Sequence, residues 1–249
     1  MHRSLDRNLS GFLQDYLFAD VFAIYPIRMD RGKQPDKLVR VFAALKAAGA
    51  SVRLLIINFH SNSERFTQYR DEILAEGKEL GLNRQELAFT NHITSLPGIS
   101  DRILQSYRFE VPHKVVLDLF HLTNIYVHPS TSESYSLVCQ EAAACGNMLF
   151  LNEDCPAMRD IYGADARYIR FSSSARSSTL SRPDEMMYYS GVAKDIIGHL
   201  SGEAPIRQRT RLRQTRNSQI VFKQWLEPLL YLDVPRVKNI DLGNEGGVT

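Results

Sequence analysis

An α/β domain built on a parallel sheet is predicted by three features of the sequence. Short apolar runs such as Val21-Phe22-Ala23-Ile24-Tyr25, Val52 through Ile57 and Ile125-Tyr126-Val127 recur along the chain and read as strands buried on both faces. Between them lie stretches with apolar residues at helical spacing, several of them closed by glycine. The connections are short. Parallel neighbours need a crossover between them, so strand, loop and helix in alternation specify a parallel sheet covered by helices.

In chain order, residues 1–20 are mixed, with Phe12, Tyr16, Leu17 and Phe18 forming a short amphipathic patch, and read as a lead-in segment or the remnant of a linker. The domain itself is expected over residues 21–232. Its first strand, Val21–Tyr25, is ended by Pro26. Leu38, Val41, Phe42 and Leu45 then recur at helical spacing before Gly49. A second strand over Val52–Ile57 leads to a long helix from about Ser63 to Leu80, carrying Phe66, Tyr69 and Ile73 and stopped by Gly81. Leu87–Thr90 is a third strand. After a loop with Pro97-Gly98, a helix bearing Val115, Val116, Leu119 and Leu122 returns to a strand at Ile125–Val127. Met148–Leu151, Pro156–Tyr162 and Tyr168–Phe171 repeat strand, helix and strand. The turn-rich run 172–183 reads as a mobile loop, with Pro183 suited to the first turn of a helix over Asp184–Leu200. A final helix is expected from Ile206 to Leu230, and a disordered tail over 233–249. Such a sheet is Rossmann-like. Its ligands bind outside the carboxyl ends of the strands, where the loops after Tyr25, Ile57, Thr90 and Val127 gather.

With 249 residues, 44% of them hydrophobic, the chain supplies one substantial core. Thirty Lys and Arg against 28 acids leave a net charge of +2, which argues for no particular partner. Arg207, Arg209, Arg211, Arg213 and Arg216 are spaced by about two residues, which scatters their charge around a helix, so no nucleic acid is expected. No apolar run approaches the ~20 residues of a transmembrane helix, and Met1-His2-Arg3-Ser4-Leu5 leads into no signal-peptide core, so the expected location is the cytoplasm. Cys139, Cys145 and Cys155 form no C-x-x-C, and the histidines lack zinc-ligand spacing. Reduced thiols, no metal and no resident cofactor are expected.

The stretch from Val127 to Gly146 carries the chemistry. An apolar run breaks at Pro129, a loop of small hydroxyl residues follows, and Ala-rich sequence continues to Gly146, so it reads strand, loop, helix. With a helix starting near Ser134, the N–H groups of Ser136, Leu137 and Val138 point outward at its positive end, which suits phosphate. Glu133 sits just before the helix and Glu141 about two turns along it. Carboxylates there suit hydroxyls better than anions, so the ligand suggested is a sugar joined to a nucleotide by a diphosphate.

Pro129-Ser130, Glu133, Tyr135, Glu141-Ala142 and Cys145-Gly146 resemble the E-x7-E region in the C-terminal, donor-binding domain of retaining GT-B glycosyltransferases of family 4. The resemblance covers roughly residues 21–170. It implies half of a GT-B fold, and transfer of a hexose from a nucleotide diphosphate sugar with retention, needing no metal. It implies that Arg28 and Lys33, in Pro26-Ile27-Arg28-Met29-Asp30-Arg31-Gly32-Lys33, hold the donor's phosphates, and that Glu133 orients sugar hydroxyls. Glu141 would hold the ribose, residues Ser134 to Val138 would line the donor site, and Ile93 would meet the base. His128 is a further candidate to face the sugar. Ser136 stands where the family usually has glycine, Asn58 likewise, and the run 94–111 is longer than the resemblance leads one to expect. The acceptor half would come from a missing N-terminal domain or a separate polypeptide. The alternative is a non-catalytic nucleotide-sugar-binding or assembly subunit that works with such a partner. A dehydrogenase is disfavoured because no G-x-G-x-x-G follows a strand.

Overall fold

Parallel strands form the centre of the molecule, whose computed structural model describes residues 13, 15–59, 64–90, 111–171, 182–203, 206 and 222–230. These are β1 (Val21–Arg28), β2 (Val52–Phe59), β3 (Leu87–Phe89), β4 (Ile125–His128), β5 (Met148–Asn152) and β6 (Arg167–Ile169). One ladder runs β1-β2-β3 and a second β4-β5-β6, with every pairing parallel. The ladders meet where β1 lies beside β4. There the Asn124 N–H donates to the Phe22 carbonyl at 3.1 Å, and the Phe22 N–H donates to Asn124 Oδ1 at 3.0 Å. Read across, the order is β3-β2-β1-β4-β5-β6, and the direction of winding reverses between β1 and β4, which is where open α/β sheets place their ligands.

Pro26 does not end the first strand as its lack of an N–H suggests. It stands opposite Ile57 inside β1. The Val21 N–H donates to Ser51 on the β2 side and Phe22 bonds toward β4, so by alternation Pro26 also faces β4. Its missing donor therefore removes nothing from the β1–β2 ladder.

Helices cover both faces: α1 (Pro35–Ala47), α2 (Glu64–Glu79), α3 (His113–Leu122), α4 (Leu137–Ala144), α5 (Pro156–Tyr162) and α6 (Arg182–Gly202). α1 buries Leu38, Val41, Phe42 and Leu45 and packs beside α2 and α6. Gly77 lets α2 close on β3, since a Cβ there would come within 2.4 Å of Leu87 Cδ2. Among the described residues no helix is long and apolar enough to cross a membrane.

Two expectations change. The described part of the lead-in is no linker, because Leu13 and Tyr16 are buried in the core and the Tyr16 ring meets Phe22 edge-on at 5.3 Å. Phe222 and Leu230, within the single final helix expected, are 45% and 70% exposed. They belong to a π-helical turn, Phe222–Leu226, and a helical turn, Glu227–Leu230. The run 172–181, the five-arginine cluster and the tail 233–249 lie outside the described residues.

Asn124 is the staple between the ladders. Besides accepting from Phe22, its Nδ2 donates to the Asp20 carbonyl at 2.7 Å. Asn124→Ala leaves the buried Phe22 N–H without its acceptor and is expected to destabilise the fold by about 2–3 kcal/mol in urea denaturation. A loss below about 0.5 kcal/mol would mean that water or a shifted strand replaces the staple.

Candidate functional site

The site forms at the carboxyl ends of β1 and β4. After Arg28, the last and exposed residue of β1, Asp30 accepts the Gly32 N–H at 2.7 Å and so caps the short 3-10 turn Arg31–Lys33. Gln34 then takes a left-handed conformation, φ 50°, and Pro35 opens α1. Beneath this turn the fully buried Tyr25 donates its hydroxyl to the Lys33 carbonyl at 2.6 Å, which fixes where the lysine stem leaves the backbone.

The facing loop is held as firmly. Asn152, buried at the end of β5, donates through Nδ2 to the carbonyls of Pro129 at 3.0 Å and Ser130 at 3.3 Å. The Cys155 thiol lies 3.9 Å from the Glu133 carbonyl. Two anchored loops therefore present their side chains to one another. Lys33 Nζ bonds Glu133 Oε1 directly, and the same oxygen lies 3.2 Å from His128 Nε2. The lysine, glutamate and histidine side chains are 25%, 14% and 4% exposed.

The hydrogen bond from His128 holds the Glu133 carboxyl at about 2, below its ordinary value; burial opposes this, while the Lys33 ammonium and the charge His128 carries when protonated add to it. Glu133 is consequently ionised throughout the neutral range. So acidic a carboxyl is a poor general acid and a weak base, but a ready acceptor for hydroxyl donors. His128 does not face outward as a sugar contact. It is buried behind Glu133, its Nδ1 3.1 Å from the hydroxyl of Tyr126.

α4 begins at Leu137, three residues later than the sequence suggests, because Ser136 takes a left-handed φ of 41° that helical geometry excludes. Ser134 and Tyr135 therefore belong to the loop, and Glu141 lies about one turn into the helix instead of two. Helical bonding starts with the Cys139 and Gln140 N–H groups to the Ser136 carbonyl, so the N–H groups of Leu137 and Val138 point out of the first turn. The Ser136 hydroxyl is tied back to Cys139 Sγ at 3.1 Å and does not project as a ligand contact. Burial raises the Cys139 thiol to about 12, which fits a packing role. Tyr135 and Leu137, 55% and 65% exposed, form an apolar lip at the helix mouth. Glu141 Oε1 is 2.8 Å from Nε2 of His113, the first residue of α3.

The structure thus brings Lys33 and Glu133 into contact and lines up Ser134 to Val138 and Glu141 along the following loop and helix. Arg28 stands at the same sheet edge and, among the described residues, pairs with neither glutamate. Arg31 turns away to Glu72, at 2.8 Å. Ile93, the base candidate, lies outside the described residues. Asn152, His113 and the partnership of His128 with Tyr126 went unread in the sequence; a polar residue closing an apolar strand, as Asn152 closes β5, is the signal that was there. Among the described residues no group of three or more His, Cys, Asp or Glu is placed to hold a metal ion.

A cavity of about 970 Å³ lies elsewhere, between α1, α2 and α6, floored by Ala43, Ala44, Ala47 and Ala75. Of its acids, Glu76 and Glu185 are engaged with Arg40 and Glu72 with Arg31.

No family model matches the sequence, and no curated protein does. Solved structures do match. An α,α-trehalose-phosphate synthase (UDP-forming) from Burkholderia xenovorans, in complex with glucose-6-phosphate, aligns with a TM-score of 0.55 at 15% identity, over 92% of this chain and 47% of that one. A structure from E. coli described as trehalose-6-phosphate bound with UDP-2-fluoro glucose aligns with a TM-score of 0.54 at 13% identity, over 92% and 47%. The α,α-trehalose-phosphate synthase (UDP-forming) from Burkholderia vietnamiensis gives 0.51 at 14%, over 90% and 48%. The fold is therefore that of one half of a GT-B glycosyltransferase. The chain spans about half the length of the structures it matches, and the likeness does not single out family 4.

Proposed function

We propose that this chain is the donor-binding half of a retaining, family 4-like glycosyltransferase that takes a hexose from a nucleotide diphosphate sugar. The observation that carries the reading is the meeting of Lys33 and Glu133 at the β1–β4 reversal, next to outward N–H groups of α4. As the glycosidic bond breaks, negative charge collects on the leaving diphosphate. A cation and fixed amide dipoles aimed there favour the transition state over the bound substrate. Lys33, Arg28 and the N–H groups of Leu137 and Val138 supply them. Glu133, already ionised, accepts from sugar hydroxyls, and Glu141 accepts from the ribose. Ile93 or its backbone meets the base. The acceptor is presented by an N-terminal domain or a separate polypeptide, and the protein works in the cytoplasm.

A panel of UDP-glucose, ADP-glucose and GDP-mannose tests this. The matching donor at about 100 times its Kd is expected to stabilise the protein by about 2.7 kcal/mol, seen as a rise in melting temperature of roughly 5–10 °C. Glu141→Ala is expected to cancel most of that rise. An unchanged melting curve with every donor counts decisively against the reading. A binding-only subunit would show the same rise without turnover, and a transfer assay with the acceptor-side polypeptide added separates the two.

A further inference from the structure

We propose that His128, locked in one tautomer by Tyr126, is a positioning residue that keeps Glu133 ionised and aimed at the lysine side of the donor site. This rests on the donor-binding reading above and adds a residue to it. Glu133, as a carboxylate, can only accept, so the imidazole must donate through Nε2 across the 3.2 Å contact. In the neutral ring that leaves Nδ1 as an acceptor, and the Tyr126 hydroxyl, 3.1 Å away, is the group that donates to it. Tyr126 is fully buried, its phenol pushed far up by desolvation, so it keeps the proton it offers.

The ring is also held sideways. It stacks on Tyr126 with centroids 5.8 Å apart and meets Tyr25 edge-on at 6.2 Å, and Tyr25 is the residue that fixes the Lys33 backbone. Two buried tyrosines therefore set both partners of Glu133. One positions the histidine that donates to Oε1, and the other positions the lysine that bonds the same oxygen. With both contacts on Oε1, Oε2 keeps its lone pairs for a sugar hydroxyl. When the donor's diphosphate draws Lys33 away, His128 still holds the carboxylate in place. Without that donor, Glu133 would be left part-buried and free to turn after the ammonium.

The test uses the full chain and three variants, His128→Leu, His128→Gln and Tyr126→Phe. In ¹⁵N-histidine spectra recorded at alkaline pH, where imidazoles are neutral, the wild-type His128 is expected to show a protonated Nε2 and an unprotonated Nδ1, and Tyr126→Phe to show a mixture. In ¹³C-carboxyl titrations from pH 6 to 3, Glu133 is expected to stay ionised in wild type and to titrate within that window in His128→Leu. His128→Gln, which keeps an N–H near the Nε2 position, restores most of the wild-type titration, because the hydrogen bond is the largest of the causes that lower Glu133. Binding of UDP-glucose, or whichever panel donor binds, is expected to weaken about tenfold in His128→Leu and to recover to within about threefold in His128→Gln. A merely structural histidine would change the melting temperature without moving the Glu133 titration, and that result overturns the proposal. So does a single Nε2–H tautomer in Tyr126→Phe. If His128→Leu does not fold, the Gln and Phe variants still decide the matter. If no donor binds wild type, the donor reading fails by itself, while the tautomer and the carboxyl titration still report on His128.

Discussion

Lys33→Ala is expected to weaken binding of the nucleotide sugar by about 10–100-fold, as measured by calorimetric titration, the range for one lost charge-assisted contact to phosphate. The variant should nonetheless fold. Its ion pair with Glu133 is partly open to solvent, and His128 remains on the carboxylate, so the empty protein should lose only about 1–2 kcal/mol. This separation of effects distinguishes a ligand role from a structural one. Were Lys33 only a partner for Glu133, the variant would lose stability while the surviving folded protein bound donor with unchanged affinity. Arg31→Ala, on the same turn, is the control, because its guanidinium is turned toward Glu72 and the Tyr69 ring.

The pair also suggests how the empty site is kept. Without a diphosphate, Lys33 and Glu133 neutralise one another, and Glu141 is engaged by His113. Lys33, Glu133 and Glu141 are thus already engaged before the donor arrives. Binding then exchanges one set of charge-assisted contacts for another, so the gross strength of the new contacts will not appear in full as affinity.

How far the sequence foretells this site depends on the range of the interaction concerned. Apolar runs and helical spacing are local, and they place β2, α2 and α5 to within a residue or two. The meeting of β1 and β4 follows from topology, because loops at the carboxyl ends of parallel strands converge. Which side chains would touch across that edge does not. Lys33 and Glu133 are 100 positions apart, and the resemblance, not periodicity, singles them out. Pro26 misleads because its cost depends on which neighbour its nitrogen faces, and β1 presents it to the β4 seam. The start of α4 misleads because a left-handed serine delays the helix. His128, read as a sugar contact, is a buried residue whose task is visible only through Tyr126 on one side and Glu133 on the other.

Glu133→Gln should remove a distinct part of the acid sensitivity of the fold. His128 and Lys33 hold the carboxyl at about 2 in the folded protein, below its ordinary value of 4.5. A lowered value means that the unfolded chain binds the proton first as pH falls. The stabilisation is therefore complete above about pH 5, declines as pH drops toward 2, and is gone below it. The side chain is only 14% exposed, and a shift of this size corresponds to roughly 3 kcal/mol, to be read as an upper figure because Lys33 and His128 share the interaction. Urea denaturation of wild type and variant at intervals between pH 7 and 2 should give curves well separated at neutral pH that converge in acid. Parallel curves would show that Glu133 is not held ionised by its neighbours. In that case the carboxylate would be free to take up a proton, and its role as a fixed acceptor for sugar hydroxyls would give way to one in proton transfer.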